Sequence, residues 1–281
     1  MRYVVAVSGG VDSVVLLDMI VKKKLAFDGE LIVAHFDHGI RADSAEDMRL
    51  VHDMAIRLGL HFETKREELG EGVSEELARE RRYAFLRGVA QKHSAVIVTA
   101  HHADDVVETI AINLTRGTGW RGLAVLDSPG IERPLLGIRK QELIAYANEH
   151  QLQWREDATN SDTRYLRNAL RQRLAASDDD LIELTSRYRT RQVALKRLID
   201  TEAAKLVGNA PYSRYFLTTV AEREALELLR TLFVQETGAS PTIPQRRQAL
   251  IAIKTYAAGS RYDVAKGITL TFSRSTFVVG E

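Results

Sequence analysis

The 281 residues include no cysteine. This absence excludes disulfides, cysteine-ligated zinc, cysteine-ligated iron–sulfur clusters and a thiolate nucleophile within these residues. The sequence also lacks any run of about 18 uncharged apolar residues, the length that a membrane-spanning helix needs. The first apolar run, Tyr3–Val7, is too short for a signal peptide. We therefore expect a cytoplasmic protein without a membrane partner.

Excess charge of one sign is also missing, because the net charge is only +1. Apolar residues make up 45% and charged residues 27%, as in an average globular protein, and the length favours two domains. The charge is nevertheless unevenly distributed. Residues 164–197 contain nine lysines and arginines but four acids. A local basic surface of this kind is suited to binding a polyanion.

The first half alternates β-rich runs with helical patterns. Apolar runs at Tyr3–Val7, Leu31–Phe36 and Ala95–Ala100 each end at a polar or glycine-rich turn. Helical patterns cover residues 13–24, 43–59, 74–92 and 104–115, with Ser44 and Ser74 as N-caps of the second and third. This alternation predicts an α/β fold with a parallel sheet whose ligands bind at the carboxyl ends of the strands.

The second half is mainly helical. Residues 123–136 predict a loop with a short strand, and helical patterns cover 139–150, 163–175, 178–207, 221–237 and 244–257. Residues 261–279 alternate as expected for a short β hairpin or meander near Gly267. We predict one domain over 1–180 and a second, mainly helical domain over 181–281 that ends in this hairpin.

The clearest motif is Ser8-Gly9-Gly10-Val11-Asp12-Ser13, between the first strand and the first helix. Two glycines let the backbone turn sharply and approach a ligand, and the helix N-terminus that follows attracts phosphate. The lysine of a Walker A loop and the third glycine of a dinucleotide fingerprint are missing. The alternative is a tight turn in which Ser13 only caps the helix.

A second motif, HHADDVVE at residues 101–108, opens a helix just after a strand. Asp105 and Glu108 are three residues apart, so that their carboxylates share a helix face and could hold Mg²⁺ or a substrate amine. Two alternatives stay open. His101, His102, Asp104 and Asp105 could form the metal site of a hydrolase, or Asp104 could simply cap the helix.

Other candidate residues have both a structural and a functional interpretation. Asp37 follows the second strand, where it could contact a ligand or form an Asx-turn. Arg79 and Arg82, three apart on a helix, could bind phosphate or face solvent. Gly117, Gly119 and Gly122 match GxGxxG, but because they follow a helix rather than a strand we do not interpret them as a dinucleotide site.

Several further motifs follow the glycine turn in a fixed order. They are AHFDHGIR at 34–41, ARERRYAFL at 78–86, TAHHADDVVET at 99–109, RGTGWRGL at 116–123, RPLL at 133–136, EDATN at 156–160 and YLRNALR at 165–171. This ordered set, over roughly residues 3–175, resembles the tRNA(Ile)-lysidine synthetase family of the N-type ATP pyrophosphatases, in the PP-loop superfamily. The resemblance implies a Rossmann-like parallel sheet of the adenine nucleotide α-hydrolase type.

The resemblance also implies roles for individual residues. Ser8, Gly9, Gly10, Val11, Asp12 and Ser13 would bind ATP. The residues expected at the reacting groups are Asp37, Asp105, Glu108, Arg79 and Arg82, with Asp105 and Glu108 also as Mg²⁺ ligands. The residues expected to contact substrate or tRNA are His102, Arg116, Arg167, Asn168 and Arg171.

The activity that the resemblance implies is ligation of lysine to a tRNA base. ATP would adenylate the C2 oxygen of the cytidine at the first anticodon position of an isoleucine tRNA with a CAU anticodon. The ε-amine of free L-lysine would then displace AMP. Asp37, Asp105 and Glu108 all remain candidates for the general base. Longer members of the family carry a further C-terminal domain, and we expect this chain to stop before it. Whether the chain forms a homodimer is left open.

Three other functions are weighed against this one. The chain could be another PP-loop ligase acting on a tRNA or a small molecule, or an adenine-nucleotide-binding module without catalysis. It could also be a phosphohydrolase that uses the His/Asp cluster. Related tRNA thiolases are expected to need cysteines for sulfur transfer or for a cluster, and this sequence has none.

Overall fold

In a computed structural model of the chain, residues 1–40, 44–70, 72–155 and 179–280 are described. The chain divides into two compact units, Met1–Val193 and Ala194–Glu281. The domain limits predicted above, 1–180 and 181–281, stay a prediction. The predicted helix at 163–175 lies outside the described residues. Within the described part, no helix has both the length and the apolar character needed to cross a membrane.

Strands and helices alternate in the first unit. Its strands are β1 (Arg2–Ala6), β2 (Glu30–Asp37), β3 (His61–Arg66), β4 (Val96–Val98) and β5 (Ile131–Glu132). Its helices are α1 (Val11–Val21), α2 (Ser44–Arg57), α3 (Glu75–His93), α4 (Ala103–Thr115) and α5 (Lys140–Glu149), with a 3₁₀ helix at Trp120–Leu123. Helix α6 (Asp179–Val207) contains the boundary between the units.

The five strands form one parallel sheet in the order β3-β2-β1-β4-β5. The chain moves outward from β1 through β2 to β3 and then crosses to β4 on the other side of β1. The loops after β1 and β4 therefore diverge at the carboxyl edge, and this switch point is where open α/β sheets bind ligands. The predicted α/β fold is confirmed.

Each face of this sheet is covered by helices because successive residues of a buried strand point to opposite sides. Val5 and Val33 belong to a core that includes α1 and α5, whereas Val4, Ile32 and Ala34 pack with α3. Ser74 caps α3 as predicted, since its hydroxyl accepts a hydrogen bond from the Leu77 amide at 3.2 Å. The packing of α3 places its N-terminal turns beside the loop after β1.

Strand β3 was missed by the sequence analysis. Its sequence, HFETKR, has Phe62 as its one apolar residue, because β3 lies at the edge of the sheet and is largely exposed. Predicted helices within the described residues are all present, with ends shifted by three residues or fewer.

The second unit combines helices with an antiparallel sheet. Its further helices are α7 (Arg214–Thr219), α8 (Glu222–Thr237) and α9 (Ile243–Thr255). Its strands β6 (Tyr212–Ser213), β7 (Arg261–Ala265), β8 (Ile268–Phe272) and β9 (Thr276–Gly280) pair in the order β6-β9-β8-β7. The predicted hairpin is the β7–β8 pair, so the sheet is larger than expected. Phe233, Phe272 and Phe277 are buried in its core.

Candidate active site

A cavity of about 500 Å³ lies at the carboxyl ends of β1, β2 and β4. One wall is the N-terminal half of α3, and the opposite side is the turn between β1 and α1. The residues from the predicted site that line it are Ser8, Gly10, Asp12, Ser13, Arg79, Arg82 and Asp105. The cavity therefore occupies the switch point of the sheet and brings together three of the predicted motifs.

The turn after β1 is held in shape by its own serines. The buried Ser13 hydroxyl donates to the Gly10 carbonyl at 2.8 Å and accepts from the Ser8 amide at 3.1 Å. The Ser8 hydroxyl lies 3.2 Å from the Ser13 hydroxyl. Gly10 is the N-cap of α1 and offers no side-chain cap, so the first amides of the helix are open to a ligand. A turn of this shape is ready to receive a phosphate group.

Gly9 has a φ of +95°, a conformation that residues with a side chain rarely adopt. Its carbonyl accepts a hydrogen bond from the Arg155 amide at 3.0 Å. Arg155 in turn pairs with Asp47 at 2.7 Å and with Glu46, both near the start of α2. The glycine turn is thus held from outside as well as by its serines.

Two arginines and two neutral histidines face the same cavity. Arg79 and Arg82 of α3 line it, together with His38 and His101. Burial, and secondarily the positive charge of Arg82, lowers the pKa of His38 to about 4. Burial also lowers the pKa of His101 well below its usual value, with Arg133, Arg79 and Arg82 adding to the effect. At neutral pH the positive charge on this wall therefore comes from arginines.

A network of carboxylates surrounds His102, and two of its members, Asp12 and Asp105, line the cavity. The His102 imidazole is 3.4 Å from Asp104, 3.6 Å from Asp105 and 3.8 Å from Asp12. Burial alone would lower the pKa of His102, but these carboxylates outweigh burial and raise it. Lys140, at the start of α5, donates to Asp12 at 2.6 Å. Lys140 thus partly balances the negative charge of the acidic groups around His102.

Residues 1–178 match the family model described as the PP-loop domain. The chain belongs to the PP-loop family. The cavity, the glycine turn and the switch point all lie within the matched residues, so this is the PP-loop site of the chain.

The chain is also similar in sequence to proteins with a named activity. The chain is 41% identical over 182 residues to a tRNA(Ile)-lysidine synthase from Bacillus thuringiensis, an alignment covering 60% of this chain and 38% of that protein. It is 38% identical over 185 residues to the tRNA(Ile)-lysidine synthase of Anaplasma marginale, an alignment covering 62% of this chain and 40% of that protein. The chain thus spans about two fifths of the length of these curated relatives.

A solved structure shares the fold. The U34-tRNA thiolase NcsA from Methanococcus maripaludis superposes with a TM-score of 0.56 at 16% sequence identity. The match covers 69% of this chain and 73% of that one. At this identity the likeness supports the Rossmann-like PP-loop fold and nothing about substrate.

Asp37 does not line the PP-loop cavity. Its carboxylate is buried and accepts hydrogen bonds from the Gly39 amide at 2.9 Å, Ser44 at 3.2 Å and Arg66 at 3.0 Å. The first of these is the Asx-turn contact that was the structural alternative. In this conformation Asp37 stabilises the turn after β2 and the start of α2, and its role at the reacting groups stays a prediction.

The other predicted residues are distributed differently. Glu108 is buried one turn beyond Asp105 and does not line the cavity. His102 is the N-cap of α4, and its amide donates to Asp105 at 3.0 Å. Arg116 is exposed at the C-cap of the same helix. Arg167, Asn168 and Arg171 lie outside the described residues, so their predicted contact with tRNA is not tested.

The segment with the GxGxxG pattern is a compact loop. It follows α4, and its last glycine lies in the 3₁₀ helix at Trp120–Leu123. A Cβ atom on Gly122 would lie 1.8 Å from the Thr118 hydroxyl, so the glycine is needed for packing. The side-chain amide of Asn113 also donates a hydrogen bond to the Gly122 carbonyl. This geometry agrees with rejecting a dinucleotide fingerprint.

The basic stretch is only partly free to meet a polyanion. Within its described part, Arg189 donates to the carbonyls of Val125 and Leu126 at 2.8 and 3.0 Å, and Arg187 pairs with Glu183 at 3.7 Å. Arg191 and Arg197 are exposed on α6. At least one arginine counted as basic surface therefore holds a turn in place.

Sequence reasoning missed Lys140, treated His38 as an ordinary residue, and weighed His101 only as a ligand of a hydrolase metal site. Lys140 follows Asp12 by 128 positions, and no local pattern links the two. A signal did exist for the histidines, because His38 and His101 each follow a strand at the carboxyl edge of the sheet.

Because of the Asp104 carboxylate, the free energy of unfolding should fall as the solution becomes more acidic. Burial would raise its pKa, but His102, the Lys140 amide and Arg139 together lower the pKa to about 2. The carboxylate therefore stabilises the fold above its unfolded pKa of about 3.9, and this stabilisation is lost as pH falls toward about 2. We expect Asp104→Asn to lower the free energy of unfolding by about 2 kcal/mol at pH 6.

Denaturant unfolding between pH 2 and 6 measures this effect. The difference between the parent chain and Asp104→Asn should shrink steadily below pH 4. Asp28→Asn, at an exposed aspartate, serves as the control and should follow the parent at each pH. A difference that stays constant down to pH 2 contradicts the assignment.

Proposed function

We propose that this chain contains the ATP-dependent site of a tRNA(Ile)-lysidine synthase. ATP adenylates the C2 oxygen of the cytidine at the first anticodon position of an isoleucine tRNA with a CAU anticodon, and lysine replaces AMP. One observation carries the proposal: the glycine turn, two arginines and Asp105 line one cavity at the switch point of the sheet. The similarity to curated synthases over residues of this site supports it.

ATP would bind with its phosphates on the turn after β1. The amides at the start of α1 and the Ser8 hydroxyl are the donors there, and the helix dipole favours negative charge. Arg79 and Arg82 face the same space and would neutralise the phosphates and the leaving pyrophosphate. Because the arginines are on α3 and the turn follows β1, the two sets approach the nucleotide from different sides.

Mg²⁺ is part of the proposal because the carboxylates at the cavity match its preference for oxygen ligands. Asp12 and Asp105 both line the cavity, and each has a carboxylate oxygen within 3.8 Å of Nε2 of His102. Asp105 is the ligand that the sequence predicted, and Glu108, the second predicted ligand, lies one turn further along α4. When bound, the ion would offset negative charge on the phosphates.

The two chemical steps balance without an enzyme-bound intermediate. The C2 oxygen attacks the α-phosphorus and pyrophosphate leaves; the lysine ε-amine then attacks C2 and AMP leaves. The amine must lose a proton, which a carboxylate can accept. Of Asp37, Asp105 and Glu108, only Asp105 lines the cavity, so the geometry favours Asp105 as the base.

The remaining parts of the proposal concern partners and location. The basic residues of 164–197, including Arg167, Asn168 and Arg171, would contact the tRNA backbone, and Arg116 would contact substrate. We also propose that the protein works in the cytoplasm, where tRNA and free lysine are available.

The alternative functions receive less support. Among the described residues, the one grouping of three or more metal-ligand side chains within 4.8 Å of one another is His61, Glu63 and His93, so the hydrolase cluster around His101 is not assembled. The NcsA structure is described with a 4Fe-4S cluster, whereas these 281 residues include no cysteine to hold one.

Labelled lysine tests the proposal directly. The full chain is incubated with ATP, Mg²⁺, labelled lysine and separate tRNAs, including isoleucine and methionine tRNAs with CAU anticodons. We expect label only in the isoleucine tRNA, with AMP and pyrophosphate formed in equal amounts. ATP binding without any labelled RNA would contradict the ligase and favour the binding module. Phosphate released from simple esters without ATP would favour the hydrolase.

A further inference from the structure

A group of three potential metal ligands lies outside the PP-loop cavity. His61 and Glu63 are on edge strand β3, and His93 is the last residue of α3. Because His61 and Glu63 are two positions apart on a strand, their side chains leave the same face of the sheet. None of the three lines the cavity. The group therefore joins the edge of the sheet to the C-terminal end of α3.

Both imidazoles point at one carboxylate oxygen. Oε1 of Glu63 lies 3.0 Å from Nε2 of His61 and 2.9 Å from Nε2 of His93. The three potential ligand atoms all lie within 4.8 Å of one another. Ligand atoms around tetrahedral zinc, at about 2.0–2.2 Å from the ion, are roughly 3.3 Å apart. Inserting an ion would thus require shifts of only a few tenths of an ångström at these contacts.

The donor set has the chemistry of a transition-metal site. Two imidazole nitrogens and a carboxylate suit Zn²⁺ and its neighbours in the first row, whereas Mg²⁺ prefers oxygen alone. Glu63 would supply one carboxylate oxygen, and each histidine one ring nitrogen.

Lys92 is the group with which a metal would compete. Its ammonium lies 2.6 Å from the same Oε1 of Glu63, but its side chain is 62% exposed. An exposed ion pair of this kind contributes little to stability, so the lysine can turn to solvent when a divalent cation takes its place. His61 is also half exposed, which leaves a path for the ion and room for a water ligand.

We propose that His61, Glu63 and His93 bind one Zn²⁺ or a similar divalent transition metal, with water in the remaining coordination position. The ion ties edge strand β3 to the end of α3. Because α3 carries Arg79 and Arg82 at its other end, the site would steady the helix that forms one wall of the PP-loop cavity. The site does not depend on ATP, tRNA or lysine.

Calorimetric titration of the EDTA-treated full chain with Zn²⁺ tests the proposal. We expect one ion per chain at the site, and an increase in Tm when Zn²⁺ is added. His61→Gln and His93→Gln should each weaken binding at least about tenfold, because each removes one of three protein ligands. Lys92→Leu should tighten binding several-fold, because it removes the competing cation from Glu63.

A matched control separates this site from nonspecific binding by surface histidines. His52 is exposed and lies 3.5 Å from the Asp53 carboxylate, so His52→Gln removes a comparable His–carboxylate pair and should leave Zn²⁺ affinity unchanged. Co²⁺ absorption provides a second readout, since its intensity should fall in both ligand variants. Absence of binding, Zn²⁺ affinity equal to that of the parent chain in His61→Gln or His93→Gln, or no gain in affinity in Lys92→Leu would each overturn the proposal.

Discussion

Asp105→Asn is expected to lower the rate of lysine incorporation into tRNA by about 100-fold or more, in line with the loss of a general base. Asp105 is the one of the three candidate carboxylates that lines the cavity. Asparagine retains a side-chain oxygen that can accept the hydrogen bond from the His102 amide, so the start of α4 should stay intact. The substitution therefore removes the negative charge with little change in shape.

Single-turnover assays with saturating ATP, lysine and tRNA measure this effect. ATP affinity should change by less than the rate does if Asp105 acts mainly on the lysine amine, whereas a parallel loss of ATP affinity would indicate a mainly metal-binding role. Asp53→Asn, at a side chain that is 69% exposed and outside the cavity, is the matched control. Incorporation by Asp105→Asn within a factor of three of the parent would contradict its assignment as the base.

The glycine turn and the helix that begins at Ala103 could be predicted from the sequence, and their position together could be inferred. Each follows a continuous apolar run, and the carboxyl ends of parallel strands meet at one edge of a sheet. Those two facts predict that Ser13 and Asp105 lie at the same edge of the sheet. Both residues line one cavity at this edge.

Other features depend on contacts that no local pattern records. Asp37 is a carboxylate at the end of a strand, as a ligand-binding residue would be. Only its contacts with Ser44 and Arg66 show that it stabilises the turn after β2 instead. Lys140 reaches Asp12 from a helix 128 positions away. Strand β3 is charged because it is an edge strand, so the apolar pattern that identified its neighbours is missing.

Ser13→Ala is expected to lower both the stability of the chain and its affinity for ATP. The buried hydroxyl accepts from the Ser8 amide and donates to the Gly10 carbonyl. The carbonyl keeps its hydrogen bonds from the Ser13 and Val14 amides, but the Ser8 amide loses this partner. An unsatisfied group of this kind costs about 1–3 kcal/mol. We expect a loss of stability in that range and an increase of about tenfold or more in KM for ATP, because the amides that receive phosphate are no longer held in position.

Ser8→Ala is the matched comparison for Ser13→Ala, because it removes the other serine hydroxyl of the turn. Ser8 is exposed, and its hydroxyl contacts the turn more weakly, at 3.4 Å from the Gly10 amide. If Ser13 shapes the turn while Ser8 contacts the nucleotide, Ser8→Ala should raise KM for ATP with little change in Tm, and Ser13→Ala should change both. Equal Tm values for the parent and Ser13→Ala would mean that the turn keeps its shape without the buried hydroxyl. Unchanged KM values for ATP in both variants would mean that the phosphates bind somewhere other than this turn. That result would contradict the proposed adenylation at this site.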